Sequence, residues 1–478
     1  MPFIFLLLFA LICLQTHWPD PPTWLLDETS CALLVGTMVV ASWLSAGLIA
    51  KVLCWQMLRH PERRSSILRR YLRWRRYHFI GLIAAYFAAL YLLGWGQILP
   101  WLLGLDNRDA FPGRELGLLA PFFAGLVLAW ERFYKVEKTA YELGHDADRF
   151  VPRWSYLLMQ VRQQMLLVVP PVLLLLLQQI LFAFFPDWEE ESYFPAGIAI
   201  GMMAVAFVLM PILLRLFLGL KPLPVGPLRD RLENTARRLG FGYSNILVWH
   251  TRNLSANAMV TGFIPWVRYI VLTDRLIDEL TPDEIEAVFG HEVGHIKHHH
   301  LFFYLAFFLV SIILLGLFWD SLKGWFKQEE IMTTLAAIPF FGGADTKDTL
   351  KMLSSFVKLG LLAAYTLFFF GYISRRCERQ ADLFGAHTVS TDVFISALEK
   401  VADINGIPRN RPGNWLLSWQ HPTINQRIEF LEEMRNHPTR IPRFHLSISL
   451  MQWAVYLTLG FLLWRTELPD MQKWLAEF

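Results

Sequence analysis

The chain has 478 residues, of which 54% are hydrophobic, 15% aromatic and 18% charged, with a formal net charge of +3. That balance, with a mean hydropathy of +0.36, is too apolar for an ordinary soluble domain and excludes a disordered or collagen-like chain. The positive charge is slight and diffuse, and no Lys/Arg block interleaved with aromatics stands apart from the apolar runs, so nucleic acid is not expected as a partner.

A membrane-crossing helix needs about 20 apolar residues to span about 30 Å of hydrocarbon. Runs near 32–53, 79–103, 115–131, 165–185, 195–219, 301–319, 356–373 and 446–464 approach that requirement, so the sequence predicts eight spans. The opening run from Pro2 to Gln15 is shorter and lacks a basic flank, and reads as a first span or a removed signal peptide. Cys13, Cys31, Cys54 and Cys377 show no C-x-x-C spacing and are expected to pack rather than to form disulfides.

Orientation follows from the Lys/Arg bias. The loop after the first long span carries Lys51, Arg59, Arg63, Arg64, Arg69, Arg70, Arg73, Arg75 and Arg76 against Glu62 alone, which predicts a cytoplasmic location. Alternation then places Arg132, Lys135, Lys138, Arg149, Arg153 and Arg162 inside as well, and the acidic segments around Asp20 and Glu189 outside. Further on, the polar block from Lys221 to His300 and the block from Ser374 to Phe444 share the cytoplasmic side, joined by an apolar hairpin at 301–373.

The first polar block opens with a Pro-rich entry from Lys221 to Pro227 and then carries two β-rich runs, Ile246 to His250 and Tyr269 to Leu272, with the stretch from Ser255 to Gly262 between them. A small sheet is expected there. From Leu280 the pattern changes: Thr281 as N-cap, Pro282 in the first turn and Glu284 three residues after the cap predict a helix that carries His291-Glu292-Val293-Gly294-His295. Four helical residues turn about 400°, so both imidazoles leave one face and can reach a single tetrahedral Zn²⁺, with Glu292 beside the open position. H-E-x-x-H on a helix is thus a metal motif with a general base attached.

The second block supplies candidates for the rest of the centre. Glu378 and Asp382 are again four apart on a helix that leaves a span directly, and a ligating carboxylate with a second one to hold a histidine ring is the arrangement a His, His, Glu site needs. His295 precedes the span at Leu301 by about 9 Å of helix and Glu378 follows Ile373 by about 8 Å, so the returning hairpin can bring both to one height. His298, on the face of His291, could be an extra ligand, but with His299 and His300 it reads better as an interfacial residue.

With these motifs in order, the sequence resembles the integral-membrane gluzincin peptidases of the CAAX prenyl endopeptidase and HtpX type. The resemblance runs from about Asn245 to Ile428 and includes Asn257-Ala258 with Gly262, His291 to Lys297 with His300, Ser374-Arg375 with Glu378, Ala381 and Asp382, and His421-Pro422 with Arg427-Ile428. It implies one Zn²⁺ per chain on His291, His295 and Glu378, with Glu292 as general base and Asp382 supporting the ligands. It further implies that His421 stabilises the oxyanion, that Arg427 braces the site or binds substrate, and that Asn257 and Ala258 lie on an edge strand that pairs with the substrate.

The expectation is therefore a mainly α, polytopic transmembrane protein with a cytoplasmic zincin-like α+β metallopeptidase domain carrying a small β-sheet. Its parts are a multi-span region at 1–219, a zincin-like region at 220–300, the hairpin at 301–373, a second catalytic segment at 374–445, and a last span with tail at 446–478. The activity expected is a zinc metalloendopeptidase acting on membrane-associated or lipidated proteins; the alternatives are a catalytically silent zinc-binding scaffold or receptor, and a metal transporter. Glu292 argues against both, because a structural site does not require a neighbouring base, and transport predicts more ionisable residues within spans. The partners expected are a protein or peptide substrate and the lipid bilayer, with oligomeric state open. The end of the chain at Trp474 to Phe478 shows no dilysine signal, which favours a bacterial inner membrane over the endoplasmic reticulum.

Overall fold

Among the described residues, apolar composition builds the first half of the chain from helices. The computed structural model describes residues 27–104, 114–143, 150–185, 194–251, 255–323, 360–361, 364–407, 409 and 421–465. The expected span at 2–15, the acidic segment near 189 and the centre of the 301–373 hairpin lie outside them. By its internal contacts the chain forms two units, one drawn from residues 1–190 and one from 191–328 and 353–478.

The N-terminal unit contains α1 (Glu28–Arg59), α2 (Arg64–Tyr91), α3 (Trp95–Leu102), α4 (Arg114–Glu142) and α5 (Arg153–Phe184). Helices α1 and α4 pack along one another, with the Arg132 guanidinium 3.9 Å from the Trp43 ring centre. The basic segment expected as a loop is almost wholly helical: α1 ends at Arg59, a 3₁₀ turn covers Pro61–Arg63, and α2 carries the remaining arginines before its apolar half. Arginine is a good helix former, so charge marks the side of the membrane here without breaking the helix.

The second unit begins with α6 (Phe194–Phe217) and then forms a four-stranded sheet in the order β1-β2-β4-β3, from β1 (Lys221–Pro222), β2 (Asn245–Trp249), β3 (Ala258–Thr261) and β4 (Tyr269–Thr273). Strands β2 and β4 are parallel, while β3 pairs antiparallel with β4 and ends the sheet. Ile246, Val248, Ile270 and Leu272 face a core shared with Ile285, Phe289 and Val293, whereas Leu247, Tyr269 and Val271 pack on the opposite side with Leu220. This two-sided burial follows the two-residue period of a strand and accounts for the unbroken apolar runs of β2 and β4.

Helix α7 (Pro227–Arg238) covers this core, and α8 (Asp274–Glu279) leads into α9 (Pro282–Lys297), whose Thr281 and Glu284 form the expected capping box. Next come α10 (His300–Lys323), a π-helical turn at Thr366–Phe370, α11 (Gly371–Thr388), α12 (Thr391–Ile404), α13 (Ile424–Asn436) and α14 (Ile441–Arg465). Among the described residues four helical segments are long and apolar enough to cross a membrane: Glu28–Arg59, Leu116–Glu142, His300–Phe318 and Pro438–Arg465. A fifth results if α2 and α3, bent by 69°, make one span. The expected runs at 165–185 and 195–219 lie in α5 and α6.

Candidate metal centre

The centre lies where α9 crosses α11, and two glycines set how closely they approach. A Cβ on Gly290 would stand 2.2 Å from Thr388 Oγ1, and one on Gly385 would stand 2.9 Å from the Ala287 carbonyl oxygen and 3.1 Å from the His291 Cβ. Only hydrogen fits at either position. The close crossing brings the i, i+4 pair of each helix to one point, so residues more than eighty apart in sequence face each other.

There His291 Nε2 lies 3.2 Å from His295 Nε2 and 3.8 Å from Glu378 Oε2, and His295 Nε2 lies 3.5 Å from Glu378 Oε1. Zinc bonds of about 2.0–2.1 Å in a tetrahedron separate their ligand atoms by about 3.3 Å. The residues therefore fit the ion: three buried or half-buried donor atoms of the right chemistry converge at nearly the right spacing, and among the described residues they are the group that could hold a metal.

Support extends outward from the two histidines. His291 Nδ1 is 3.0 Å from Asp382 Oδ1, Asp382 accepts from Arg427 Nε at 2.9 Å and also from its Nη2, and the Phe394 ring stacks against the His291 imidazole. On the other side, His295 Nδ1 is 2.9 Å from His300 Nδ1. Burial disfavours the Asp382 carboxylate, but the Arg427 charge and the His291 contact outweigh it and hold the group below the ordinary range. For Glu378, burial likewise acts upward and is overcome by His421, His295 and His291, which hold it well below the ordinary range.

Glu292 differs from both. Burial and the nearby Glu378 charge push its carboxyl up to about 7, against the opposing pull of His291, the Val260 backbone N–H and Arg427. Burial with the His291 charge lowers His295 to about 4, which keeps its ring neutral and available as a ligand at neutral pH. Burial acts downward on His291 too, but the Asp382 contact and charge outweigh it and raise that ring, so of the two it is His295 that burial keeps neutral. A carboxyl near 7 beside them has the proton affinity that a general base at neutral pH needs.

Each residue singled out by sequence has a definite place. Ala258 opens edge strand β3; Asn257 precedes it, its carbonyl accepting from Thr273 N at 3.0 Å, so its backbone faces β4. Antiparallel alternation then turns the backbone of Ala258 and Val260 to the open edge, where the Val260 N–H meets Glu292. His421, largely exposed, has Nδ1 3.0 Å from Glu378 Oε2. His298 caps α9 and stacks on His300 and His445, outside the donor cluster. Sequence reasoning missed Val260, Phe394, Gln380 and His445; the hydrophobic run of a strand marks Val260, but no local pattern marks the other three.

Residues 222–435 match the model of peptidase family M48. The chain is 27% identical over 190 residues to protease HtpX of Pseudomonas syringae pv. tomato, covering 37% of this chain and 61% of that one. With HtpX of Pseudomonas aeruginosa it shares 27% over 220 residues, 43% of this chain and 71% of that one. The chain thus spans about three fifths to seven tenths of the length of these relatives. Among solved structures the crystal structure of S. mikatae Ste24p has the same fold at a TM-score of 0.53, with 19% identity over 87% of this chain and all of that one. Motifs and family model agree that residues 222–435 are similar to peptidase family M48, and the fold is that of the Ste24p structure.

Proposed function

We propose that the protein is a zinc metalloendopeptidase that hydrolyses peptide bonds of membrane-associated or lipidated proteins on the cytoplasmic side of its membrane. The observation that carries this reading is the convergence of His291, His295 and Glu378 with Glu292 alongside, its carboxyl raised to about 7. A structural zinc site would gain nothing from such a base. The cytoplasmic side is supported by the arginines of the α1–α2 region and the acidic segments opposite them.

When bound, the ion would acidify a water and polarise the scissile carbonyl. The protein's own residues do the remainder. Glu292 takes the water proton on its carboxylate and returns it to the leaving amine nitrogen. Asp382, fixed by Arg427, keeps the His291 ring in place, and His421 is near enough to turn from Glu378 and donate to the developing oxyanion. The outward backbone of β3 offers a template on which an extended substrate can lie as an added strand. A site about 9 Å of helix from Leu301 in α10 and about 8 Å from Ile373 in α11 suits substrates already held at the bilayer.

The test is made on the full chain in detergent: bound zinc per chain, and cleavage of an unstructured membrane-tethered reporter, for wild type and Glu292→Gln. About one zinc in both with cleavage reduced 10²–10⁴-fold in the variant is the expected result. Equal behaviour of the two across several reporters, with zinc bound, would establish the silent scaffold instead. No zinc in either would overturn the ligand assignment.

A further inference from the structure

The second histidine of the cluster is supported by a different kind of contact from the first. His300 Nε2 lies 3.0 Å from Gln380 Oε1, and Gln380 Nε2 lies 2.7 Å from His445 Nδ1. With the 2.9 Å contact between His300 Nδ1 and His295 Nδ1, this makes an unbroken line from the cluster to α14, through α10 and α11. His300 and Gln380 are 1% and 3% exposed, so neither can take its partner from bulk water. We propose that His300, Gln380 and His445 form a hydrogen-bonded positioning chain that orients the His295 ring toward the metal and fixes its tautomer.

The assignment rests on the metal reading above and follows from donor and acceptor bookkeeping. A ligand nitrogen at Nε2 leaves the His295 proton on Nδ1, which donates to His300 Nδ1. His300 then carries its proton on Nε2 and donates to the Gln380 carbonyl oxygen. The amide of Gln380 in turn donates to His445 Nδ1. Each of the three contacts then joins a donor to an acceptor with all three imidazoles neutral, and the direction of each bond is set by the first.

The geometry shows why His300 can reach so close a neighbour in sequence. In a continuous helix a residue five positions on would point about 140° away. His299 adopts φ 56°, a left-handed turn that ends α9 and swings the first residue of α10 back onto His295. Helix α14 secures that turn independently, because Gln452 Nε2 donates to the His298 carbonyl at 2.9 Å. His298 lies flat against both His300 and His445, at 5.8 and 5.3 Å between ring centres, and closes the chain from the side. The last membrane helix is thereby part of the metal centre's support.

The full chain in detergent, stripped with a chelator, is titrated with Zn²⁺ against a chromophoric competitor and with Co²⁺ for its visible absorption. Gln380→Leu is expected to weaken zinc binding 10–100-fold and to alter the cobalt bands, the effect typical of losing a contact behind a ligating histidine. Gln380→Glu, whose carboxylate accepts the same His300 proton, is expected to bind zinc within about threefold of wild type or more tightly. His300→Ala should match Gln380→Leu, and the double variant should be no worse than either, because members of one chain are not additive. Wild-type affinity in Gln380→Leu, or equal losses in the Leu and Glu variants, would overturn the positioning role. Failure of wild type itself to bind either metal would overturn the metal reading, and this one with it.

Discussion

In the N-terminal unit, Arg75 donates to Glu137 at 2.8 Å, and Tyr71 donates to the same carboxylate oxygen at 2.7 Å. In the second unit, Arg427 grips Asp382, which also faces His291. The first pair has side chains 36% and 20% exposed and the second 12% and 0%, so similar groups work in different surroundings. Around Glu137 the partners Arg75 and Tyr71, with Tyr156 beside them, are used among the helices themselves. Around Asp382 the pair continues into His291 and its cluster with His295 and Glu378, beside which Glu292 is left with a raised proton affinity. Helices in the first unit use polar groups to fasten themselves together; in the second, polar groups hold one another in positions that leave some of them poised.

The largest effect should come from cutting the two arginine pairs in the same way. Asp382→Ala leaves the Arg427 guanidinium buried without its partner, a change expected to destabilise the protein by about 3–5 kcal/mol. Glu137→Ala releases a guanidinium that can reach water but leaves the buried Tyr71 hydroxyl without its acceptor, and about 1–2 kcal/mol is expected. Thermal unfolding of both metal-free variants in detergent, followed by circular dichroism, gives the contrast. Equal losses would mean that the Asp382 pair is no more desolvated than its counterpart.

Next comes the helix crossing. Gly290→Ala places a methyl against Thr388 where no space exists and is expected to reduce stability by about 1–3 kcal/mol. Because the same crossing aligns His291 with Glu378, zinc affinity should fall as well. Gly290→Ala combined with Thr388→Gly, which removes the Oγ1 and Cβ the new methyl would meet, should restore part of both. If affinity survives while stability drops, the ligands are positioned independently of the crossing.

Glu292 tests the other half of the comparison, a poised group in place of a paired one. Its folded pKa, raised to about 7, lies above its value in the unfolded chain. A raised group contributes stability that is fully present below about pH 4.3 and is lost as pH climbs through about 7. Glu292→Gln removes that loss, so the metal-free variant should gain on wild type by on the order of 2–3 kcal/mol between pH 5 and pH 8. Unfolding midpoints measured at pH 5 and pH 8 decide it; a variant advantage that does not grow between them sinks the argument.

Much of this was legible before the structure. Thr281, Pro282 and Glu284 announced the start of α9, the four-residue spacings of His291 with His295 and of Glu378 with Asp382 put each pair on one face, and the β-rich runs became β2 and β4. Local signals of that kind depend on neighbours within a few residues. The contacts of Gln380 with His300 and His445 join positions 80 and 65 residues apart, so no periodicity could reveal them. Charge misled at residues 64–78, where arginines that mark the membrane side lie within α2 and not in a loop. His421 was read for its motif, and its contact with Glu378 depends on a fold position that spacing does not encode.

The smallest effect lies at the turn on which the His300 contact depends. His299 is exposed and holds φ 56°, a conformation in which a side chain's Cβ crowds the following carbonyl oxygen. Histidine tolerates it better than most residues, and glycine better still, at the expense of more freedom in the unfolded chain. His299→Gly should therefore raise stability by about 0.5 kcal/mol, the strain relieved being partly offset by that entropy and by the lost contact with Phe302. His299→Val, branched at Cβ, should lower it by about 1–2 kcal/mol through the same crowding. The pair of variants separates backbone strain from side-chain chemistry, since both remove the imidazole and only one resists the turn. Opposite signs in unfolding midpoint place the constraint in the backbone; losses of equal size would place it in the imidazole's own contacts, and the left-handed turn would then have no special part in bringing His300 to His295.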